Sequence, residues 1–87
     1  MSAESAIEFP CSFPIKMMGR NTPEFRATAR ALVEKHAGQV DDDAVAATLS
    51  RNGRFVSVTV TITATSQQQL DDIYREVSDH DDVLMAL

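Results

Sequence analysis

Two kinds of hydrophobic periodicity divide the chain into helices and strands. In two segments apolar residues recur every three to four positions, the spacing of a helix that buries one face. In the segments between them apolar and polar residues alternate, which is the spacing of strands with one covered face. The order of these segments predicts the sequence β, α, β, β, α, β.

The first ordered segment begins at Ile7, because residues 1–6 are small and polar and are expected to form a disordered tail. Pro10 and Pro14 exclude a helix and favour an extended lead-in. The alternation that follows predicts a strand over residues 13–19.

The first helix is predicted between Thr22 and Gly38. The Thr22 hydroxyl suits the N-cap, and Pro23 occupies the first helical position, where a missing N–H is tolerated. Gly38 is typical of a helix C-terminus, and residues 39–43 then form an acidic loop. The stripe expected to face the core comprises Phe25, Ala29, Leu32, Val33 and His36.

A β-hairpin is predicted around Asn52 and Gly53, since both residues tolerate the positive φ of a two-residue type I′ turn. Pairing Arg51 with Arg54 then sets the register of the two strands. That register places Leu49, Ala47 and Val45 opposite Val56, Val58 and Val60. The other face is small and polar and is expected to remain uncovered; it comprises Ala44, Ala46, Thr48, Ser50, Phe55, Ser57, Thr59, Thr61 and Thr63.

The second helix begins with a predicted capping box of Ser66 and Gln69, and Asp71 and Asp72 are expected to complement the helix dipole. An acidic loop and a strand over residues 83–87 follow. The apolar stripe of the helix comprises Leu70, Ile73, Tyr74 and Val77.

Right-handed crossovers assemble these elements into one architecture. The prediction is an α+β, ferredoxin-like βαββαβ two-layer sandwich. Its four-stranded antiparallel sheet has the order 4-1-3-2, with both helices on the valine face. A chain of 87 residues supports one core, so residues 7–87 are predicted to form a single domain.

Composition narrows the functional classes. The net charge of −5 disfavours binding to nucleic acid or to an anionic membrane, and no apolar segment is long enough to span one. Cys11 is the only cysteine, which excludes an internal disulfide and favours a cytoplasmic location. No cofactor is expected.

A family resemblance rests on residues along most of the chain. Its elements are Glu8-Phe9-Pro10, Phe13, Lys16, Met18-Gly19, Lys35-His36-Ala37, the strand over 57–65 and the segment 74–87. Together they resemble the YbeD-like family of small bacterial proteins. This resemblance implies an ACT-like, ferredoxin-like fold, similar to amino-acid-binding regulatory domains, and leaves the activity open.

One group of residues suggests a local anion site near the start of the first helix. The alternative is that Arg30 pairs with Glu34 one turn later and that the remaining residues form a solvated face. No catalytic residue or metal ligand is predicted, because Cys11, His36 and His80 lack the neighbours that such roles require. The candidate ligand-binding residues are Gly19, Arg20, Asn21, Thr22, Arg26 and Arg30.

Three functions are compared. The favoured one is a regulatory or binding module, not an enzyme, that senses a small metabolite, binds a protein partner or forms a homodimer through its open face or an edge strand. RNA binding is the alternative suggested by residues 53–56, which resemble part of an RNA recognition motif. An acylphosphatase-like hydrolase is suggested by Gly19-Arg20 before Phe25-Arg26, although Pro23 and Glu24 oppose a phosphate there.

Overall fold

Four antiparallel strands and two helices make up residues 7–87, the part of the chain that the computed structural model describes. The predicted tail at residues 1–6 lies outside the described residues. The strand order is β2-β3-β1-β4, which confirms the predicted architecture. The elements are β1 (Cys11–Arg20), α1 (Pro23–Ala37), β2 (Val45–Leu49), β3 (Phe55–Ala64), α2 (Gln67–Asp79) and β4 (Met85–Ala86), and a short 3₁₀ turn, Asp42–Ala44, precedes β2.

The core lies between the two helices and one face of the sheet. The central strands β1 and β3 pair along their whole length, from Cys11 opposite Ala64 to Arg20 opposite Phe55. Both predicted helical stripes supply buried residues to this layer, as the patterns indicated. The largest fully buried side chains are Ile15, Met17, Phe25, Val33, Val56, Val58, Val60, Ile73 and Val77.

β1 starts two residues earlier than predicted and contains Pro14, which pairs with Thr61. A proline is normally excluded from a central strand because it lacks a backbone donor. On the β4 side, however, the pairing reaches only to Lys16, whose N–H donates to the carbonyl of Leu87. Pro14 therefore lies beyond the end of β4, where that side of β1 is effectively an edge.

The hairpin register is confirmed and the predicted turn is wrong. Leu49 pairs with Val56 as expected, but the last main-chain bond of the ladder runs from Ser50 N–H to Phe55 O at 2.9 Å. The turn itself is closed by Gly53 N–H donating to Ser50 O, one residue earlier than a two-residue turn requires. The side chain of Asn52 accepts the N–H of Arg54 at 3.1 Å, which stabilises this longer loop.

The predicted ends of α1 are confirmed. The Thr22 hydroxyl accepts the Phe25 N–H at 3.2 Å, and Gly38 ends the helix with φ +80°. The expected dipole role of Asp71 and Asp72 is wrong, because both lie beyond the first turn of α2. Their carboxylates instead accept hydrogen bonds from glutamine side chains one turn earlier.

The start of α2 is capped in a modified way. The Ser66 hydroxyl accepts the Gln69 N–H at 3.1 Å, as in a capping box. The reciprocal bond differs from that of a capping box, in which the Gln69 side chain would accept the N–H of Ser66. Here the side-chain oxygen Oε1 of Gln69 accepts the N–H of Thr65 at 2.8 Å. Its amide nitrogen donates to His36 O at 3.2 Å, so one side chain links the start of α2 to the end of α1.

The last strand is shorter than the predicted range of residues 83–87. Val83 is buried, but its N–H donates to His80 O at 3.1 Å, which keeps it in a turn. The sheet is continued by Leu84, whose N–H donates to Met18 O at 2.8 Å, by β4 itself and by Leu87, which exchanges main-chain bonds with Lys16. In the described residues no helix has the length and apolar character needed to cross a membrane.

Glu76 joins the two helices on the outer surface of the domain. Its carboxylate accepts from Lys35 Nζ at 2.9 Å and lies 2.7 Å from His36 Nε2. These hydrogen bonds, first from Lys35 and then from His36, lower the pKa of the Glu76 carboxyl. His36, predicted as the last residue of the core-facing stripe of α1, is half-buried and contacts the neighbouring helix through Glu76.

We predict that Glu76→Gln destabilises the protein at neutral pH and has no effect in strong acid. The folded-state pKa of Glu76 lies below its ordinary value of 4.5, so its contribution is complete well above that pH. The contribution declines as the pH falls from 4.5 and is lost once the lowered pKa is passed. Thermal unfolding from pH 3 to 7 measures this difference.

Glu8→Gln is the control for loss of a carboxylate, because Glu8 is exposed and has no ion pair within residues 7–87. If the difference in melting temperature between Glu76→Gln and wild type stays constant across the whole pH range, this account of the ion pair is contradicted.

Candidate functional site

A surface groove of about 340 Å³ lies where the β1–α1 connection meets the α2–β4 connection. Its volume falls near the lower end of the range for small-molecule sites. The lining residues come from the end of β1, the first turn of α1 and the loop before β4. They are Arg20, Thr22, Glu24, Phe25, Asp81, Asp82 and Leu84.

Gly19 allows these segments to approach one another. It is buried, and a Cβ atom built on it would lie 2.6 Å from the carbonyl oxygen of Asp82 and would also overlap the ring of Phe25. Such distances are too short for any side chain. Gly19 is therefore required by the close approach of the α2–β4 connection and the first turn of α1.

The groove combines one positive charge with several negative ones. The guanidinium of Arg20 and the carboxylates of Glu24, Asp81 and Asp82 all line the groove, and all four side chains are exposed. Leu84, which is 51% exposed, and the buried Phe25 supply apolar surface. The arrangement can hold a cationic group beside the carboxylates and an anionic group at the guanidinium.

The backbone of the β1–α1 connection has few donors left for an anion. Asn21 N–H donates to Arg54 O at 2.9 Å, and Thr22 N–H donates to Arg20 O at 2.9 Å. The N–H of Phe25 is taken by Thr22. A phosphate cradle needs converging free N–H groups, so this geometry argues against an acylphosphatase-like loop.

The structure brings together some of the predicted ligand-binding residues and separates others. Arg20 and Thr22 both line the groove. Asn21 instead donates from Nδ2 to Gly53 O at 3.0 Å and so connects this loop to the hairpin. Arg26 is exposed on α1 and does not line the groove.

Arg30 belongs to a separate structural cluster. Its guanidinium lies 2.6 Å from the Asp42 carboxylate and 3.3 Å from that of Glu34, and it also donates to Val40 O. The hydrogen bond to Asp42 is the main cause of the raised pKa of Arg30. The pKa of Glu34 is lowered, first by the N–H of Val40 and then by Arg30. Arg30 thus holds α1 to the loop before β2, and the alternative pairing with Glu34 is the one observed.

Sequence reasoning missed the contribution of the loop before β4. The sequence predicts Asp81 and Asp82 only as part of an acidic loop, and Leu84 as part of the last strand. A usable signal existed in the predicted topology, because β4 lies antiparallel to β1 and the loop before it must meet the loop after β1. His80 orders this loop by accepting the N–H of Asp82 on Nδ1 at 3.1 Å.

Other candidate groups lie away from the groove. Cys11 is a free, half-buried thiol at the start of β1. Within residues 7–87 there is no cluster of three or more His, Cys, Asp or Glu side chains arranged to hold a metal ion.

Comparison with known proteins places the chain in a family. A family profile described as "Protein of unknown function (DUF493)" matches residues 4–87. The chain belongs to the DUF493 family. This confirms the resemblance to the YbeD-like small bacterial proteins, which share the DUF493 and UPF0250 descriptions.

DUF493 relatives match over nearly their full lengths. The chain is 44% identical to UPF0250 protein NE1487 of Nitrosomonas europaea over 87 residues, covering 100% of both chains. It is 45% identical to a UPF0250 protein of Paraburkholderia phytofirmans over 84 residues, covering 97% of this chain and 94% of the relative.

A solved structure supports the fold. The solution structure of protein HP0495 from H. pylori matches with a TM-score of 0.78 at 20% sequence identity, covering 99% of this chain and 90% of that one. At this identity the likeness carries over the α+β architecture alone.

We predict that Gly19→Ala destabilises the domain by about 1 to 3 kcal/mol, the usual effect of overpacking a filled site. The added methyl group must displace the ring of Phe25 or the backbone at Asp82. Urea unfolding followed by circular dichroism measures the loss. Ser12→Ala, at an exposed position of the same strand, is the control and should stay within about 0.5 kcal/mol of wild type. Equal stabilities of the two variants would contradict the close packing at Gly19.

Proposed function

We propose that this DUF493 protein is a non-catalytic binding module that takes a small zwitterionic molecule, such as an amino acid, in the groove beside Gly19. The observation that carries the proposal is that one guanidinium and three carboxylates line the same groove around an apolar patch. An amino acid presents a carboxylate and an ammonium group close together. Arg20 suits the first, and Glu24, Asp81 and Asp82 suit the second.

The chemistry of the groove favours binding over catalysis. Thr22 is the only lining side chain with a hydroxyl, and its oxygen already accepts the N–H of Phe25. No lining residue is a histidine or cysteine that could serve as a base or nucleophile. A regulatory role of the ACT-like kind is compatible with such a site and remains part of the proposal.

The proposed site revises the set of ligand-binding residues. Arg20 and Thr22 stay, and Gly19 acts through the backbone packing beneath them. Arg26 and Arg30 are left out, the first because it lies outside the groove and the second because its guanidinium is bound to Asp42 and Glu34.

We predict that amino acids raise the melting temperature of the protein, because a ligand selective for the folded state stabilises it. At one hundred times the dissociation constant the gain is about 2.7 kcal/mol, or roughly 10 °C for a domain of this size. Thermal shift against the twenty amino acids, simple amines and inorganic phosphate measures it. Amino acids should give the largest shift and phosphate none.

Matched variants locate the effect. Arg20→Gln should abolish the shift, whereas Arg26→Gln, which loses the same charge outside the groove, should keep it. A shift caused by phosphate alone, or one unchanged by Arg20→Gln, would rule out the zwitterion site.

RNA binding has one observation in its favour. None of the four strands contains Asp or Glu, so the open face of the sheet carries only the positive charges of Lys16 and Arg20. Phe55, opposite Arg20, is the only aromatic side chain on that face, whereas RNA recognition motifs stack bases on two or three. Fluorescence anisotropy with labelled single-stranded RNA tests this. Salt-sensitive binding that is lost in Lys16→Glu would favour it over the amino acid site.

A further inference from the structure

The edge strand β2 has none of the features that usually protect a sheet edge. Such edges commonly carry a lysine, a proline or a bulge that prevents pairing with another chain. The five residues of β2, Val45–Leu49, contain no charged side chain and no proline, and they pair with β3 without a bulge. The strand is therefore available as a template for a further strand.

The alternation of hydrogen bonds along β2 shows which of its backbone groups are free to pair with another strand. Ser50 N–H donates to Phe55 O, so every second residue before Ser50 also directs its N–H and C=O toward β3. The residues between them, Val45, Ala47 and Leu49, direct theirs away from the sheet.

The apolar face of β2 is also incompletely covered. Leu49 lies on the helix-facing side, opposite Val56 in the neighbouring strand. Val56 is 1% exposed, but Leu49 is 50% exposed, and Ala47 is exposed as well. Val45 is half-buried and packs against the core, so the uncovered part of the apolar row is Ala47 and Leu49.

We propose that this edge pairs with β2 of a second copy of the chain, antiparallel and about a two-fold axis at Ala47, to form a continuous eight-stranded sheet. This register overlaps all five residues of both strands. It sets Ala47 opposite Ala47 and Val45 opposite Leu49 of the other copy. The paired residues are the ones whose backbone groups point outward, as an antiparallel ladder requires. The exposed Leu49 is then covered by Val45 of the second copy.

Charge selects a second copy over an unrelated strand. The segment before β2 is acidic and includes Asp43, whereas the loop after β2 contains Arg51. The same register sets the start of β2 in one copy next to the end of β2 in the other. It therefore brings the 3₁₀ turn that contains Asp43 close to the hairpin loop that contains Arg51, twice in the symmetric dimer. Neither residue has an ion pair among the described residues. Strand overlap, apolar contact and charge therefore all favour the same register. The opposite edge of the sheet, β4, is only two residues long and offers a much shorter strand for pairing.

The experiment is sedimentation velocity of the full chain from roughly 1 μM to 1 mM, the range in which a small interface dissociates. The wild type should pass from monomer to dimer and no further, and the dimer should weaken with added salt. Arg51→Glu and Asp43→Lys should each weaken it about tenfold or more, because each places like charges together. The double variant should recover the wild-type affinity.

Controls separate this interface from other surfaces. Arg26→Glu makes the same charge change on the exposed surface of α1 and should leave the dimer intact. Ala47→Pro should abolish the dimer, since it removes an outward N–H; its melting curve checks that it folds. A wild type that stays monomeric overturns the proposal, as do larger assemblies or a dimer that is insensitive to the charge exchange.

Discussion

The antiparallel pairing of β1 with β3 is the interaction on which the rest of the structure depends. Its ten residue pairs set one face of both strands against α1 and α2 and leave the other face outside. Valine and isoleucine occupy the covered face because only that face can remove them from water. Since the pair fills the centre of the sheet, β2 and β4 become edges, and the ends of β1 decide which loops meet.

Two cations of α1 differ from those of the sheet and hairpin in being ion-paired. Lys35 and Arg30 are ion-paired, and they connect α1 to α2 and to the loop before β2. The cations of the sheet and hairpin, Lys16, Arg20, Arg51 and Arg54, have no carboxylate partner within residues 7–87. A chain with a net charge of −5 therefore still presents local positive groups where a ligand or a second chain can approach.

Much of the fold followed from local chemistry. Alternation along β3 and the caps at Thr22 and Ser66 were sufficient to predict the element order, the hairpin register and the covered face. The errors occurred where a local rule had more than one solution. Asn52 and Gly53 fit several turns with the same register, and the reciprocal cap at Gln69 had two neighbouring N–H groups to choose from. Pro14 was accepted within β1 because β4 proved too short to need its N–H.

The sequence by itself determined the layers, because periodicity and capping act between residues that are close along the chain. Only the tertiary structure decided the composition of the groove. Gly19 and Asp82 are far apart in sequence, and their contact depends on β4 returning beside β1. Likewise, the sequence predicted an arginine group at the first helix, but the path of the acidic loop took Arg30 away to Asp42 and left Arg20 with the carboxylates of a distant segment. Long-range contacts of this kind follow from how the strands assemble, which no local pattern contains.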